Sequence, residues 1–475
     1  MIQLFLKYNP LKYILVFLVL VLIRAFAYKM SLPITDPEIT WLLVGERMAN
    51  GFTLYKEIWT DLDPFSAGTY YFINVLFGKS TFVYFVASLL LVFFQAIFFQ
   101  AGLNKNKVFK EPSMLPALLY VLFSSLYFDF YTLSPVLLGT TFIIGAFNRI
   151  CFQSKVAASE ERFFYIGLLT GIASLFYLPF GLFLIFSLFS LGFYSNTNLK
   201  QQMVLVLAFF FPNIIFLIYY FWIDNLGNYY EYALLPTVHS ATNFMVDFPT
   251  LIKISVLPFL LLLAAVVTIM VRGRYIHYQY IVIKIVALWF LVGFLAMWIE
   301  KAFTPNLLIL FVPPLAFFTA HLFLIFSRKR VMSEIAFMVL FGGILLISFY
   351  ALKKPDNYTK THLIKSIPEE AVRFAIKEKK VIVLGNNTAF YINNYGSSPY
   401  INWSLSAWQF EDLNKYAALS AIYEVIETNK PDYIIDEDKR MQNIFSRIPA
   451  LSREYERIDS TFIFRRKANR LRGEK

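Results

Sequence analysis

The chain has 475 residues, of which 58% are hydrophobic and 19% aromatic, and it carries a formal net charge of +12. A mean hydropathy of +0.58 is more apolar than one soluble core requires, which excludes a water-soluble globular protein. The lysines and arginines lie mainly in short loops between apolar segments, so we expect them to set membrane orientation and not to bind nucleic acid. The single cysteine excludes an internal disulfide, and four scattered histidines give no metal-binding spacing.

Apolar segments long enough to cross a bilayer recur from residue 11 to residue 352. The first of them follows two lysines, as in a signal peptide, but it has no cleavage motif and is predicted to be a retained span. Two helices meeting near Pro179 could instead form one kinked helix, which would lower the count from eleven to ten. The predicted spans are 11–30, 81–103, 113–129, 131–150, 163–177, 178–194, 202–224, 250–272, 280–298, 304–326 and 331–352.

The positive charges predict the orientation of these spans. With the N-terminus in the cytoplasm, the basic loops around 105–110, 149–162 and 328–330 are all cytoplasmic. The opposite loops include 225–249, which has no lysine or arginine. Eleven spans then place the C-terminal region on the periplasmic side.

The chain changes character at Lys353, after which charged and mixed sequence predominates. Strands are predicted at 381–384 and 433–435, and helices at 368–379 and 410–429. The sequence therefore predicts a transmembrane domain over 1–352, with a structured outer loop at 31–80, and a small soluble α/β domain over 353–475. The predicted fold class is an all-α polytopic membrane bundle with this C-terminal α/β domain.

The loop 31–80 is unusually long for a helix bundle and contains its own helical pattern. The run Asp36-Pro37-Glu38 predicts a helix start, apolar residues follow at helical spacing, and Gly51 predicts the end. We expect this helix to lie flat on the membrane surface. After it come a Tyr-Lys-Glu-Ile-Trp stretch at 55–59, the pair Asp63-Pro64 and an aromatic run that ends at Gly78.

This order of motifs resembles the GT-C superfamily of glycosyltransferases, which use polyprenyl-phosphate sugars, and in particular the protein mannosyltransferase and lipid A aminoarabinose transferase branches. The segments that carry the resemblance are Asp36 and Glu38, Gly51, 55–59, Asp63-Pro64 and 71–78, with a second likeness at 300–305 running into 311–314. The resemblance implies a membrane enzyme that transfers a sugar from a polyprenyl-phosphate donor to a glycan, lipid or protein acceptor outside the cytoplasm. It implies a bacterial inner membrane as the setting.

Such a transfer needs a base for the acceptor hydroxyl and cations for the departing phosphate. Asp36 is the predicted base and Glu38 its alternative, although an Asp before Pro is also an ordinary helix N-cap and Glu is common in a first turn. Lys301 is the predicted phosphate ligand, with membrane anchoring as the alternative, and Lys56 is a further candidate.

Two further residues are weaker candidates for acceptor or metal binding. Asp63 could orient the acceptor or a divalent cation, or could simply belong to a turn. His239 could line the acceptor side, or could be an exposed loop residue. A single-displacement inverting transfer requires no cofactor, so a divalent cation is possible but not needed.

Two alternatives to the enzyme stay open. The first is a non-catalytic relative that serves as a scaffold or partner-binding component of an envelope assembly, because the family's arginine early in span two has no counterpart at 81–85. The second is a transporter, which would show a repeated span pattern and ionisable residues at mid-membrane. The sequence shows neither.

Overall fold

The structure is a computed structural model of the full chain. It describes residues 2–235, 243–244, 248–299, 302–327, 329–354, 364, 368–411, 413, 415–459 and 461–467. Most of these residues are helical up to Lys353, and a small sheet follows. The predicted order, a helical bundle and then an α/β region, is therefore confirmed.

The helices of the bundle follow one another with short connections. A turn of 3₁₀ helix, Pro305–Phe311, leads directly into the helix that begins at Val312. Helical turns also cover 226–234. The helices are α1 (Lys12–Lys29), α2 (Asp36–Ala49), α3 (Pro64–Phe77), α4 (Thr81–Lys105), α5 (Leu115–Phe123), α6 (Pro135–Gln153), α7 (Glu160–Phe176), α8 (Phe183–Tyr194), α9 (Leu199–Trp222), α10 (Phe248–Arg272), α11 (His277–Ile299), α12 (Val312–Phe326) and α13 (Arg330–Lys353).

Seven helices within the described ranges are long and apolar enough to cross a membrane, so the chain is an integral membrane protein. They are α4, α6, α9, α10, α11, the Pro305–Phe326 segment and α13. The predicted count of eleven spans stays a prediction. We call the end of the bundle that holds Asp36, Glu38 and Asp129 the carboxylate end, and the end that holds Lys105 and Arg149 the basic end.

Two sequence predictions about the bundle differ from the structure. The predicted span 113–129 is helical only over Leu115–Phe123, because the chain turns there and Tyr127 adopts an extended conformation before the 3₁₀ turn Phe128–Tyr131. The alternative of one kinked helix around Pro179 is wrong. Tyr177 is extended, with φ −155° and ψ 108°, so α7 ends at Phe176 and a separate turn leads into α8.

The long loop between α1 and α4 contains two packed helices. The predicted helix is present as α2, and Gly51 follows it with φ +90°, a conformation that glycine adopts without strain. The second helix, α3, was not predicted. Pro64 stands in its first turn and Gly78, with φ +70°, ends it. Most side chains of α2 are buried by protein; its position relative to a membrane surface stays a prediction.

The C-terminal region forms a five-stranded sheet. Its strands, in their order across the sheet, are β4 (Tyr395–Gly396), β3 (Lys380–Leu384), β5 (Tyr433–Asp436), β7 (Ile463–Arg466) and β6 (Tyr455–Arg457). The central strands β3 and β5 are parallel, whereas β7 is antiparallel to both of its neighbours. Earlier in the chain, β1 (Asn243–Phe244) and β2 (Ala302–Phe303) form a separate parallel pair. Helices α14 (Tyr416–Asn429) and α15 (Arg440–Arg447) and short helices Glu369–Arg373, Trp403–Ser406 and Pro449–Glu454 complete the region.

Both predicted strands of this region are confirmed, but the predicted helices are too long. The helix expected over 368–379 covers only Glu369–Arg373, because Ala375 and Glu378 adopt positive φ angles of 50° and 55°. The helix expected over 410–429 begins at Tyr416.

The α/β region is docked on α2 by a buried ion pair. Lys79 Nζ lies 2.8 Å from Glu46 Oε2 and also donates to the backbone oxygens of Tyr391 and Asn394, each at 2.7 Å. Glu46 accepts in turn from the Gly396 N–H at 3.1 Å. Charged groups this deeply buried persist only when they are paired, so these contacts fix the position of the sheet over the carboxylate end.

Candidate active site

The first turn of α2 supplies the two carboxylates predicted from the sequence. Thr35 occupies the N-cap position and Asp36 is the first helical residue, so Asp36 is not the cap itself. The Asp36 carboxylate is partly exposed, and its Oδ1 accepts a hydrogen bond of 2.5 Å from the Thr388 hydroxyl of the α/β region. Asp36 therefore lies where α2, the bundle and the C-terminal region meet.

Glu38, two residues further along the same first turn, is 7% exposed. Burial and, to a smaller extent, the negative charge of Asp129 together raise the pKa of Glu38 to about 8, against the opposing effect of a hydrogen bond with the Thr132 side chain. Glu38 is thus largely protonated at neutral pH. A carboxyl group in that state can donate a hydrogen bond, but only a small fraction of it is ionised and able to accept a proton at neutral pH.

Asp129 is the third carboxylate of the site, and sequence reasoning did not include it among the site residues. It lies in the turn Phe128–Tyr131 and is 4% exposed. Burial raises its pKa to about 7, although the Asn306 N–H, which donates to Oδ2 at 2.8 Å, opposes that rise. Residues far apart in the sequence therefore combine into a buried acidic pair.

The turn that carries Asp129 is held by Arg24 of α1. Arg24 Nη1 donates to Ser88 Oγ at 3.0 Å and Nη2 to the Phe130 oxygen at 3.1 Å. The guanidinium carbon lies 4.3 Å from the centre of the Tyr131 ring. Arg24 is fully buried and does not reach solvent. It contacts the turn that carries Asp129 through the Phe130 backbone oxygen and the face of the Tyr131 ring.

An apolar groove of about 510 Å³ begins next to this turn. We call it the α10–α12 groove, because residues of α10, α11 and α12 line it. Phe130, the neighbour of Asp129, forms part of its wall, together with Ser255, Phe294 and Phe311. Through Phe130 the groove reaches the turn that carries Asp129.

Asp63 and Lys56 are not part of this cluster. Asp63 is 7% exposed, and its Oδ2 accepts from the Leu178 N–H at 2.8 Å, which ties the start of α3 to the turn after α7. Lys56 is exposed in the loop that follows α2. Arg47, in the last turn of α2, holds this loop by donating a hydrogen bond to the Glu57 backbone oxygen at 3.3 Å. The fourteen residues of α2 span about 20 Å, so Lys56 lies at the far end of this helix from Asp36.

The remaining predicted residues, His239 and Lys301, lie outside the described residues. Thr304, three positions after Lys301, is described, and its hydroxyl donates to Asn306 Oδ1 at 2.9 Å. Asn306 in turn contacts Asp129 through its N–H, so this described segment belongs to the site. Within the described part of the chain, no group of three His, Cys, Asp or Glu side chains could hold a metal ion.

A helical membrane bundle with buried carboxylates at one end and an α/β region docked over them defines the fold of this protein. In sequence, the chain matches no protein-family model and no curated protein. In structure, it is similar to the crystal structure of ArnT from Cupriavidus metallidurans bound to undecaprenyl phosphate. The TM-score is 0.62 at 9% sequence identity, and the match covers 98% of this chain and 100% of ArnT.

The apo crystal structure of ArnT from the same organism gives a TM-score of 0.58 at 10% identity, with 95% of this chain and 97% of ArnT covered. At such identities the likeness shows a shared fold. It confirms the resemblance predicted from the motifs of the 31–80 loop at the level of fold, over nearly the whole chain.

Proposed function

We propose that this protein is a membrane glycosyltransferase that moves a sugar from a polyprenyl-phosphate donor to an acceptor hydroxyl. The observation that carries the proposal is the buried pair Glu38 and Asp129, with the partly exposed Asp36 in the same first turn of α2, beside an apolar groove whose wall includes Phe130, the neighbour of Asp129. The shared fold with ArnT, whose crystal structure is bound to undecaprenyl phosphate, supports the same class of donor.

The donor's hydrocarbon chain fits the α10–α12 groove. The groove is lined almost entirely by apolar side chains and runs beside Phe130, so a chain lying in it would bring its phosphate toward Asp129 and Asn306. Within a bilayer an apolar groove binds an isoprenoid chain through close van der Waals packing along its walls, because lipid tails offer the chain an equally apolar surrounding. Lys301, close to Thr304 in the sequence, is the residue we propose for the phosphate.

In the proposed chemistry, Asp36 takes the proton from the acceptor hydroxyl. The hydroxyl oxygen forms a bond to the anomeric carbon, the bond from that carbon to the phosphate oxygen breaks, and polyprenyl phosphate leaves with the electron pair. Asp36 suits this role better than Glu38 because it is partly exposed, whereas Glu38 is buried and keeps its proton at neutral pH. One displacement inverts the anomeric configuration and requires no cofactor; a divalent cation that neutralises the phosphate is compatible with it.

The remaining assignments of the sequence are part of this proposal. The basic end faces the cytoplasm, with the N-terminus on that side, and the carboxylate end and the 353–475 domain face the periplasm of a bacterial inner membrane. The charge distribution along the loops supports this orientation, because lysines and arginines are concentrated near the basic end.

Binding of undecaprenyl phosphate to the full-length protein in nanodiscs tests the donor site. Ser255→Trp places a large ring in the α10–α12 groove and should abolish saturable binding. Leu263→Trp adds the same ring to an exposed position of the same helix outside the groove, and should leave binding unchanged. Equal binding by both variants would contradict the proposed donor site.

Two substitutions then separate binding from chemistry. Lys301→Glu should weaken binding of undecaprenyl phosphate, because it replaces a phosphate ligand by a like charge. Asp36→Asn should retain binding and lose transfer from the cognate donor, because the amide cannot accept the acceptor's proton. An Asp36→Asn protein with full transfer activity would remove Asp36 as the base.

The alternative function is a non-catalytic scaffold or partner-binding component of an envelope assembly. The hydrogen bond from Thr388 to Asp36 favours it, because that contact gives the candidate base a structural partner in the docked α/β region. The two functions differ in one measurable property. A scaffold binds no polyprenyl phosphate, and Thr388→Ala would then lower stability without affecting any lipid interaction.

A further inference from the structure

A second groove, of about 730 Å³, lies at the opposite end of the bundle, between α4, α6 and α7. We call it the basic-end groove. One part of its wall is apolar and contains Phe98, Phe142 and Leu169, and the other part contains the cationic side chains of Lys105 and Arg149. An amphiphile with a negatively charged head group is complementary to this wall, because its apolar chain matches the apolar part and its charged head group matches the cationic part.

The contact between α4 and α6 brings the two cations to the same level. Gly102 of α4 packs so closely on Asn148 of α6 that a Cβ atom at Gly102 would lie 1.9 Å from Asn148 Oδ1. Asn106 Nδ2 also donates a hydrogen bond to the Asn148 backbone oxygen at 3.0 Å. Lys105 and Arg149 are the chain neighbours of these paired asparagines, so the helix crossing fixes both at the groove.

The basic-end groove has an excess of positive charge. Within the described residues neither Lys105 nor Arg149 forms an ion pair, and the Arg149 guanidinium carbon lies 4.6 Å from the centre of the Tyr165 ring. Arg162 also lines the groove, but it donates to Gln153 Oε1 at 2.6 Å and is held there. Glu161 is the acidic residue of the lining and is exposed, so it offsets only part of the charge.

We propose that the basic-end groove binds an anionic phospholipid of the surrounding leaflet. The lipid phosphate lies between Lys105 and Arg149, and one acyl chain lies along Phe98, Phe142 and Leu169. Grooves between membrane helices that join basic side chains to apolar walls attract anionic headgroups of the adjacent leaflet. The apolar wall continues directly from the two cations, which favours a ligand that carries both a phosphate and an acyl chain over a free phosphate ion.

This lipid site is separate from the proposed donor site. The segment of α6 from Pro135 to Arg149 alone is about 20 Å long, and Asp129 lies beyond its other end. The proposal therefore does not depend on the proposed transferase activity, and binding at the two sites can be measured independently.

The experiment uses full-length protein in nanodiscs that contain equal amounts of phosphatidylglycerol and phosphatidylcholine. Native mass spectrometry of the released protein reports which lipid is retained. The wild type should retain phosphatidylglycerol preferentially, and Lys105→Gln combined with Arg149→Gln should weaken that retention roughly 30-fold, about fivefold for each cation. Arg272→Gln with Arg274→Gln removes two charges at the same end outside the groove, and should change nothing.

A steric variant covers the case in which loss of charge also affects folding. An added Cβ at Gly145 would make ordinary contacts of 3.4 Å and 3.6 Å with Leu169 and Phe98, so Gly145→Leu should fill the apolar part and displace the lipid with every charge intact. Retention that survives Gly145→Leu, or that falls equally in the Arg272 and Arg274 control, would overturn the proposal. Thermal protection of the wild type by inorganic phosphate in pure phosphatidylcholine nanodiscs, matching that by phosphatidylglycerol, would assign a free-anion site instead.

Discussion

The buried Glu38 predicts a stability that falls as the pH rises. Its pKa changes from an ordinary 4.5 to about 8 in the folded protein, so the folded state holds a proton that the unfolded state has released between these two values. Below pH 4.5 Glu38 is protonated in both the folded and the unfolded state, so its titration does not change the free energy of unfolding there. Above it, the free energy of unfolding should fall by about 1.4 kcal/mol per pH unit until about pH 8, a total of roughly 5 kcal/mol as an upper limit.

Glu38→Gln keeps the shape and removes this titration, so it should flatten the dependence between about pH 7 and pH 8 and make the protein more stable than the wild type near pH 8, whereas Asp129, with a pKa raised to about 7, keeps part of the slope below pH 7. The assay is denaturant unfolding of purified protein in mild detergent micelles from pH 5 to pH 9. Glu369→Gln, which removes an exposed carboxylate of the α/β region, is the matched control and should keep the wild-type slope. A Glu38→Gln protein with the same slope as the wild type would refute the assignment of the titration to Glu38.

Three further predictions concern the contacts that support the site, and thermal unfolding checks each of them. Gly45→Ala should destabilise the protein by about 1–3 kcal/mol, because its Cβ would lie 2.6 Å from an α3 backbone oxygen, whereas Gly68→Ala meets no atom within 4 Å and should be neutral or stabilising. Lys79→Met should cost about 3–5 kcal/mol by leaving the buried Glu46 carboxylate unpaired, and adding Glu46→Met should recover most of the loss; no recovery would contradict the ion-pair argument. Arg24→Lys should cost about 1–3 kcal/mol, because one ammonium cannot replace both guanidinium hydrogen bonds; an unchanged midpoint would show that they contribute nothing.

The sequence was sufficient to predict elements whose ends have local signals. The helix α2 begins at Asp36-Pro37 and ends before Gly51, as expected, because a proline in the first turn and a glycine after the last one act locally. The helix α3 has the same signals in Asp63-Pro64 and Gly78, but its aromatic run concealed them. A reading of the proline and glycine positions alone would have found both helices.

The site was harder to predict because it is assembled by tertiary packing. Asp36 and Glu38 were named from their place after the first span, but Asp129 is about 90 positions further along the chain and was not among the predicted site residues. Its burial depends on the short α5 and on the turn that follows, which the predicted span of 113–129 had concealed. No local pattern distinguishes such an aspartate from a solvated one.

The unpredicted contacts show how a polar site can exist at the end of an apolar bundle. A buried carboxylate is stable only if its surroundings offset the loss of water, either by protonation or by fixed hydrogen-bond donors. Glu38 follows the first route, through its raised pKa, and Asp129 combines it with the Asn306 N–H. Among the described contacts, Arg24 pairs with neither acid but donates to the Phe130 carbonyl, which holds the backbone next to Asp129. With donor binding as proposed above, the affinity for undecaprenyl phosphate should fall as the pH rises from about 7 to about 8, because Glu38 and Asp129 lose their protons in this range and the resulting carboxylates repel the phosphate; an affinity that stays constant or increases would contradict the placement of the phosphate beside them.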